Sequence, residues 1–238
     1  MDWLDEIIEK TRLTVLNRFK YGRILINEIS RSEFTEFLNE DEINEWSKEN
    51  YGSWIDKYRN SNLSKPIKLY CGNLYKKINH YLRFGVNDGM GDYTNLIDEL
   101  NRILIDAPRL NKNIILYRKV DDEFIKELIK YNKAGKSFEE KGFMSTTLLK
   151  EEINNLTIEG NNVLKIYTYK DAVGAYVSPI VVQKEYEYLL KAGVYLTLIS
   201  YPYYDRYTSS YIYECIFSNK IIQQRTTLSS FFCRLKYN

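Results

Sequence analysis

His80 is the only histidine in 238 residues. A Ser-His-Asp or Cys-His arrangement therefore has one possible base, with no nucleophile placed beside it, and His80 reads as structural. Cysteine is as scarce: Cys71, Cys215 and Cys233 are odd in number and widely spaced, which suggests neither a disulfide framework nor a zinc site. No GxxxxGK[ST] loop and no strand-linked GxGxxG is present. The segment GVNDGMGD (85–92) could hold a phosphate or calcium, but a plain turn accounts for it more simply. Basic clusters are missing too. Lys+Arg is 34 against Asp+Glu 32, a net charge of +2, so nothing demands a nucleic-acid partner. No run approaches the ~20 apolar residues of a membrane span. The N-terminal MDWLDEIIEKTRL carries acidic residues where a signal peptide needs positive charge. The expectation is a soluble chain whose cysteines suit a reducing compartment, with a non-classical or injected export route left open.

What is abundant is aromatic. Hydrophobic residues make up 44% and aromatics 15%, with 22 Tyr, which points to an ordered globular protein of one large domain or two small ones. Apolar residues at three-to-four spacing, Phe34, Phe37, Leu38, Ile43, Trp46, Tyr51, Trp54, Ile55 and Tyr58, predict helices through the first third. The run SNLSKP (61–66) breaks them. Further helices are predicted over Leu74 to Phe84, Thr94 to Ile105 and Glu123 to Tyr131. After Pro108 the texture is strand-like: NIILYRKV (113–120), GFMSTTL (142–148), NVLKIYTY (162–169), YEYLLKAGVYLTLISY (186–201) as two strands around Lys191-Ala192-Gly193, then SSYIYECIF and KIIQQRTTL. Helices first and strands second predict an α+β fold with a mostly antiparallel sheet. No repeat or linker divides it.

Carboxylates, hydroxyls and arginines remain to carry chemistry. Glu185 and Glu187 are two apart on a predicted strand and project from one face, with Tyr186 and Tyr188 on the other. In isolation such a pair is an ordinary solvated face. Ser145 and Thr147 share a face by the same rule. Arg118 is a charge inside an otherwise apolar strand; it needs either an ion-pair partner or an anionic ligand.

Taken in order, YR, F-x-S-T-T and E-x-E-x-L-L resemble the arginine, Ser-Thr-Ser and paired-glutamate motifs of bacterial mono-ADP-ribosyltransferase toxins. The likeness is to the enzymatic components of actin-modifying binary toxins, the vegetative insecticidal type, and the related Rho-modifying exoenzymes. INEWSKENYGSW (43–54) and LYCGNLYKKINHYLRFG (69–85) resemble that family's N-terminal helix and its I-N-x-x-L-R helix. GAYVS (174–178) sits where the family's loop precedes the glutamates, so the resemblance covers residues 40 to 200 or so. Two positions depart from the pattern: Gln183 stands where an aromatic is common, and Thr147 replaces a serine.

The resemblance implies an ADP-ribosyltransferase fold, N-terminal helices packed on a mostly antiparallel β-sandwich core, with 1–238 as one catalytic domain, 1–60 its helical part and 67–238 its NAD-binding core. It implies NAD as substrate, no metal, and transfer of ADP-ribose to a protein side chain. Nicotinamide leaves as a neutral ring, so no general acid is needed, which suits a site without histidine. By resemblance Glu187 stabilises the oxocarbenium-like ribose, Ser145 orients it, Arg118 and Arg83 grip the pyrophosphate, and Asn79 and Thr147 shape the pocket. A glutamate at Glu185 goes with an arginine acceptor in the family, with actin the leading candidate, whereas a glutamine goes with Rho-type targets. The rival readings are NAD hydrolysis without an acceptor and a catalytically inactive docking copy. A monomer, a separate delivery component or injection, and action in a target-cell cytosol complete the expectation; an intracellular role stays open.

Overall fold

The computed structural model describes residues 3–21, 29–85, 93–156, 160–181 and 185–219. Gln183, Cys233, KIIQQRTTL and all but the first residue of GVNDGMGD lie outside them. These described residues form six α-helices: α1 Trp3–Tyr21, α2 Glu40–Arg59, α3 Lys65–Leu69, α4 Tyr75–Phe84, α5 Thr94–Asp106 and α6 Asp122–Lys133. A π-helical turn, Tyr70–Leu74, joins α3 to α4. Helix α2 begins at an N-cap: Asn39 accepts from the Glu42 amide at 3.0 Å, and Glu42 in turn accepts from the amide of Leu38, just before the cap, at 3.0 Å. Its buried face carries Ile43, Trp46, Tyr51, Trp54, Ile55 and Tyr58, as the spacing predicts.

Phe34, Phe37 and Leu38 are not helical. Their spacing imitates a helix, but the segment runs extended, and Thr35 bridges Ile114 while Phe37 bridges Leu149. Likewise Pro66 opens α3 in its first turn, where its missing N–H costs nothing.

Nine strands follow among the described residues: β1 Ile114–Val120, β2 Phe138–Glu140, β3 Met144–Thr147, β4 Asn162–Thr168, β5 Gly174–Tyr176, β6 Glu187–Leu190, β7 Val194–Leu198, β8 Tyr203–Asp205 and β9 Ser210–Ser218. They hydrogen-bond in the order β2-β7-β9-β4-β1-β3-β6-β5, with β8 also on β9. Among the described strand pairs only β4–β9 is parallel, so the α+β fold with a mostly antiparallel sheet is as expected.

Side chains alternate along β1: Ile114 and Leu116 enter the larger core under the helices, Ile115 and Tyr117 a smaller one on the opposite face. The sheet is therefore buried on both sides. Between β1 and β3 a single pair, Tyr117 with Thr147, is in register, whereas β1 and β4 share seven. This seam divides β3, β6 and β5 from the rest and positions the site.

Candidate active site

Ser145 sits on β3 at the seam and serves two neighbours. Its hydroxyl donates to Glu187 Oε1 at 2.5 Å, a diagonal contact across the β3–β6 pair, where Ser145 opposes Leu189. Its carbonyl accepts from Arg118 Nη1 at 2.8 Å. Arg118 follows Ile114 and Leu116 on one face of β1, and its Nε is buried without a hydrogen-bond partner among the described residues. A guanidinium held at one end with an unsatisfied N–H beside a cleft is suited to an anionic ligand. Burial pushes its pKa down from the ordinary arginine value.

Glu187, the first residue of β6, is 5% exposed, and its amide donates to Ser178 Oγ at 2.6 Å. Burial pushes its carboxyl pKa up, against the Ser145 hydroxyl that donates to it; nearby Glu185 adds to the rise and Arg118 opposes it. The next residue, Tyr188, is buried, and its hydroxyl meets that of Tyr51 on α2 at 3.2 Å, fixing the strand from behind.

Glu185 departs from the sequence expectation in its conformation. It precedes the strand, and Tyr186 between the two glutamates adopts φ 47°, a left-handed conformation that strains a bulky residue. The kink, not strand alternation, brings Glu185 to the same cleft as Glu187.

That cleft encloses about 340 Å³ and is lined by Asn79, Arg118, Ser145, Thr147, Glu185 and Glu187, together with Tyr70, Cys71 and Tyr75. Asn79, on α4, is fully engaged: its Oδ1 accepts from the Phe143 amide at 2.9 Å, and its Nδ2 donates to the Phe143 carbonyl at 3.1 Å and to the Tyr70 hydroxyl at 3.0 Å. It clamps the entry to β3. Gly142 is needed there, because a Cβ would come within 2.7 Å of Asn79 Oδ1. Thr147 Oγ1 accepts from the Leu149 amide at 3.2 Å. Thr146, on the other face, donates to the Tyr188 carbonyl at 2.6 Å and pins β3 to β6.

Arg83 is placed differently from the other six. It makes a two-pronged ion pair with Glu140, Nε to Oε1 at 2.9 Å and Nη2 to Oε2 at 2.8 Å, and is not among the side chains lining the cleft. Sequence reasoning missed Cys71, Tyr70, Tyr75 and Ser178. All four lie in segments whose resemblance was noted, but no spacing marks them. Among the described residues no cluster of three or more His, Cys, Asp or Glu is arranged to hold a metal ion, and no helix is long and apolar enough to cross a membrane.

A sequence model described as ADP-ribosyltransferase exoenzyme matches residues 43–220. Among solved structures, the Clostridium limosum C3 exoenzyme superposes with a TM-score of 0.60 at 20% identity, covering 78% of this chain and 97% of that one. BECa, the ADP-ribosylating toxin of a C. perfringens binary enterotoxin solved with NADH, gives 0.62 at 23%, covering 78% of this chain and 50% of that one. C3stau2 from S. aureus, solved with NAD, gives 0.61 at 14%, covering 79% and 100%. No curated protein matches the sequence.

Proposed function

Because the chain belongs to the ADP-ribosyltransferase exoenzyme family, whose reaction is NAD-dependent mono-ADP-ribosylation, we propose that its cleft binds NAD and passes ADP-ribose to an arginine of a target protein, with actin the leading candidate. The observation that carries this reading is the convergence of Glu187, Ser145 and the unsatisfied Arg118 guanidinium on one cleft. Arg118 takes the diphosphate, while Arg83, outside the cleft lining, has its charge matched by Glu140. Asn79 and Thr147 set the walls. The C1′–nitrogen bond of the nicotinamide ribose breaks, its electron pair returns to the pyridine ring, and positive charge develops on the ribose. Glu187 faces that charge and accepts a hydrogen bond from a ribose hydroxyl.

Glu185 supports the choice of acceptor. A guanidinium is protonated at any ordinary pH, so a carboxylate beside the reaction centre draws it in and takes the proton its nitrogen loses on attacking C1′. A glutamine at this position has no charge to do so. The place of Glu185 in the wall of the cleft, beside Glu187 across the kink at Tyr186, supports this role. The chain acts as one catalytic unit, as a monomer, in the cytosol of a target cell reached through a separate delivery component or by injection.

Incubation with labelled NAD and host-cell lysate tests this. Wild type labels protein, and mass spectrometry finds the label on arginine. Glu187→Gln loses both labelling and NAD hydrolysis, while Glu185→Gln loses labelling and keeps hydrolysis. Normal activity in Glu187→Gln, or label on a residue other than arginine, overturns the corresponding part.

A further inference from the structure

The extended segment from Phe34 to Leu38 lies where the β1–β3 seam opens. The two strands are in register at one pair, Tyr117 with Thr147, and a gap lies on each side of it. One gap is the cleft, lined by Tyr117 to Lys119 of β1 and Ser145 to Thr147 of β3. Residues 35–37 fill the other: the Thr35 amide donates to the Asn113 carbonyl and the Ile115 amide to the Thr35 carbonyl, both at 2.9 Å, while Phe37 bridges Leu149 just past β3. A third stretch of chain is thus wedged between the two strands. Phe34 enters the smaller core beside Tyr117, and Phe37 enters the larger one. Between them, Glu36 accepts a hydrogen bond from the Tyr117 hydroxyl on β1 and pairs with Lys165 Nζ on β4 at 2.9 Å, where Lys165 and Tyr117 stand opposite one another. On the reading that Arg118 takes the diphosphate of NAD and Glu187 acts on its ribose, we infer that Glu36 is a positioning residue for the site: by fastening the wedge to Tyr117, it sets how far β1 stands from β3, and so the span from Arg118 to Glu187.

The lock is a strong one. Burial by itself pushes the Glu36 carboxyl pKa up, but the bonds from Tyr117 and Lys165 overcome it and hold the group below its ordinary value, so it is ionised at neutral pH. Burial, and then Glu36, push the Tyr117 phenol up, so its hydroxyl stays a donor, and the bond is charge-assisted. Arg118 follows Tyr117 in the chain, and a phenol held from behind fixes the backbone that carries the guanidinium. Across the seam, Ser145 takes Arg118 Nη1 on its carbonyl at 2.8 Å and donates its hydroxyl to Glu187. A shift of β1 against β3 therefore moves the two ligand-facing groups relative to each other. A ligand that must touch both binds most tightly when their span is already set. The bond-breaking step depends instead on Ser145 and Glu187, which belong to strands paired with each other at four positions beyond the seam. Loss of the lock weakens NAD binding more than it slows the step.

The test is steady-state NAD hydrolysis by the full chain without acceptor, with the melting temperature of each variant measured alongside. Glu36→Ala raises KM for NAD roughly ten-fold and lowers kcat by less than about three-fold; Tyr117→Phe, which removes the same bond from its other end, also raises KM. The double variant is no worse than Glu36→Ala alone, because one bond is lost in both. Arg31 supplies the control. It ties the same segment to Glu214 on β9 at 2.8 Å, two strands away from β1, so Arg31→Ala lowers the melting temperature and keeps KM within about two-fold of wild type. A wild-type KM in Glu36→Ala or in Tyr117→Phe, additive effects in the double variant, or an equal rise of KM in Arg31→Ala overturns the assignment. Glu187→Gln, measured in parallel, separates the two levels. If it abolishes hydrolysis while Glu36→Ala keeps the wild-type KM, only the Glu36 assignment fails; if it retains hydrolysis, the reading of the cleft fails and the proposal with it. Should Glu36→Ala fail to fold, KM in Tyr117→Phe decides.

Discussion

Two buried carboxylates, Glu140 and Glu187, stand in contrasting surroundings. Glu140, 1% exposed on β2, is closed off by both prongs of Arg83 and by the Gly142 amide at 2.7 Å. Glu187, 5% exposed on β6, is held by a neutral donor, the Ser145 hydroxyl, and the nearby Arg118 is engaged elsewhere. A buried charge matched by a cation holds structure together. One supported only by neutral dipoles keeps its charge available to a cationic partner. The contrast separates a carboxylate that fastens the fold from one set to act on a ligand.

Exchanging the charge of Glu187 tests that contrast most severely. Glu187→Gln lowers the rate of NAD hydrolysis by roughly 10²–10³-fold, read by nicotinamide release. It also stabilises the protein at neutral pH. The folded pKa of Glu187 is raised above the ordinary 4.5 by burial, so the fold holds the proton more tightly than the unfolded chain does. Stability is therefore lost as pH rises from that value through the folded pKa, and Gln removes the loss. The gain in melting temperature shrinks as the pH falls toward the ordinary carboxylate value. On the other side of the contrast, Arg83→Ala leaves Glu140 buried and unpaired and costs about 3 kcal/mol in urea denaturation. Arg83→Met combined with Glu140→Met recovers most of it.

Smaller effects sharpen the comparison on β3 itself. Ser145→Ala loosens Glu187 and lowers kcat for hydrolysis roughly ten-fold. Thr146→Val removes only the bond to the Tyr188 carbonyl; it costs about 1 kcal/mol of stability and leaves kcat within about two-fold.

Much of this was legible in the sequence. The strands carrying Arg118, Ser145 and Glu187 follow alternation, and their order suggested the family. The misses have physical causes. Phe34, Phe37 and Leu38 repeat like a helix, but the segment is held extended by bridges from Thr35 to Ile114 and from Phe37 to Leu149, partners distant in sequence. Strands β2, β5 and β8 have three residues each, too few for alternation to register. Glu185 and Glu187 were assigned to one strand because nothing in a tyrosine announces a positive φ. Arg83 reads as a free cation until Glu140, 57 residues on, is found bonded to it. Cys71 reaches the cleft through a π turn, which shifts the helical phase that periodicity relies on.

The single pair joining β1 to β3 carries a further consequence, for the order in which the protein opens. Backbone amides across β1, β4 and β9 are locked by long ladders, whereas β3, β6 and β5 close mainly on one another. Hydrogen exchange should therefore report two cooperative blocks, and the block bearing Ser145 and Glu187 should exchange first. A ligand spanning both Arg118 and Glu187 would bridge that join and slow the exchange of the weaker block. Occupancy of the cleft then becomes measurable far from the ligand, on amides it never touches.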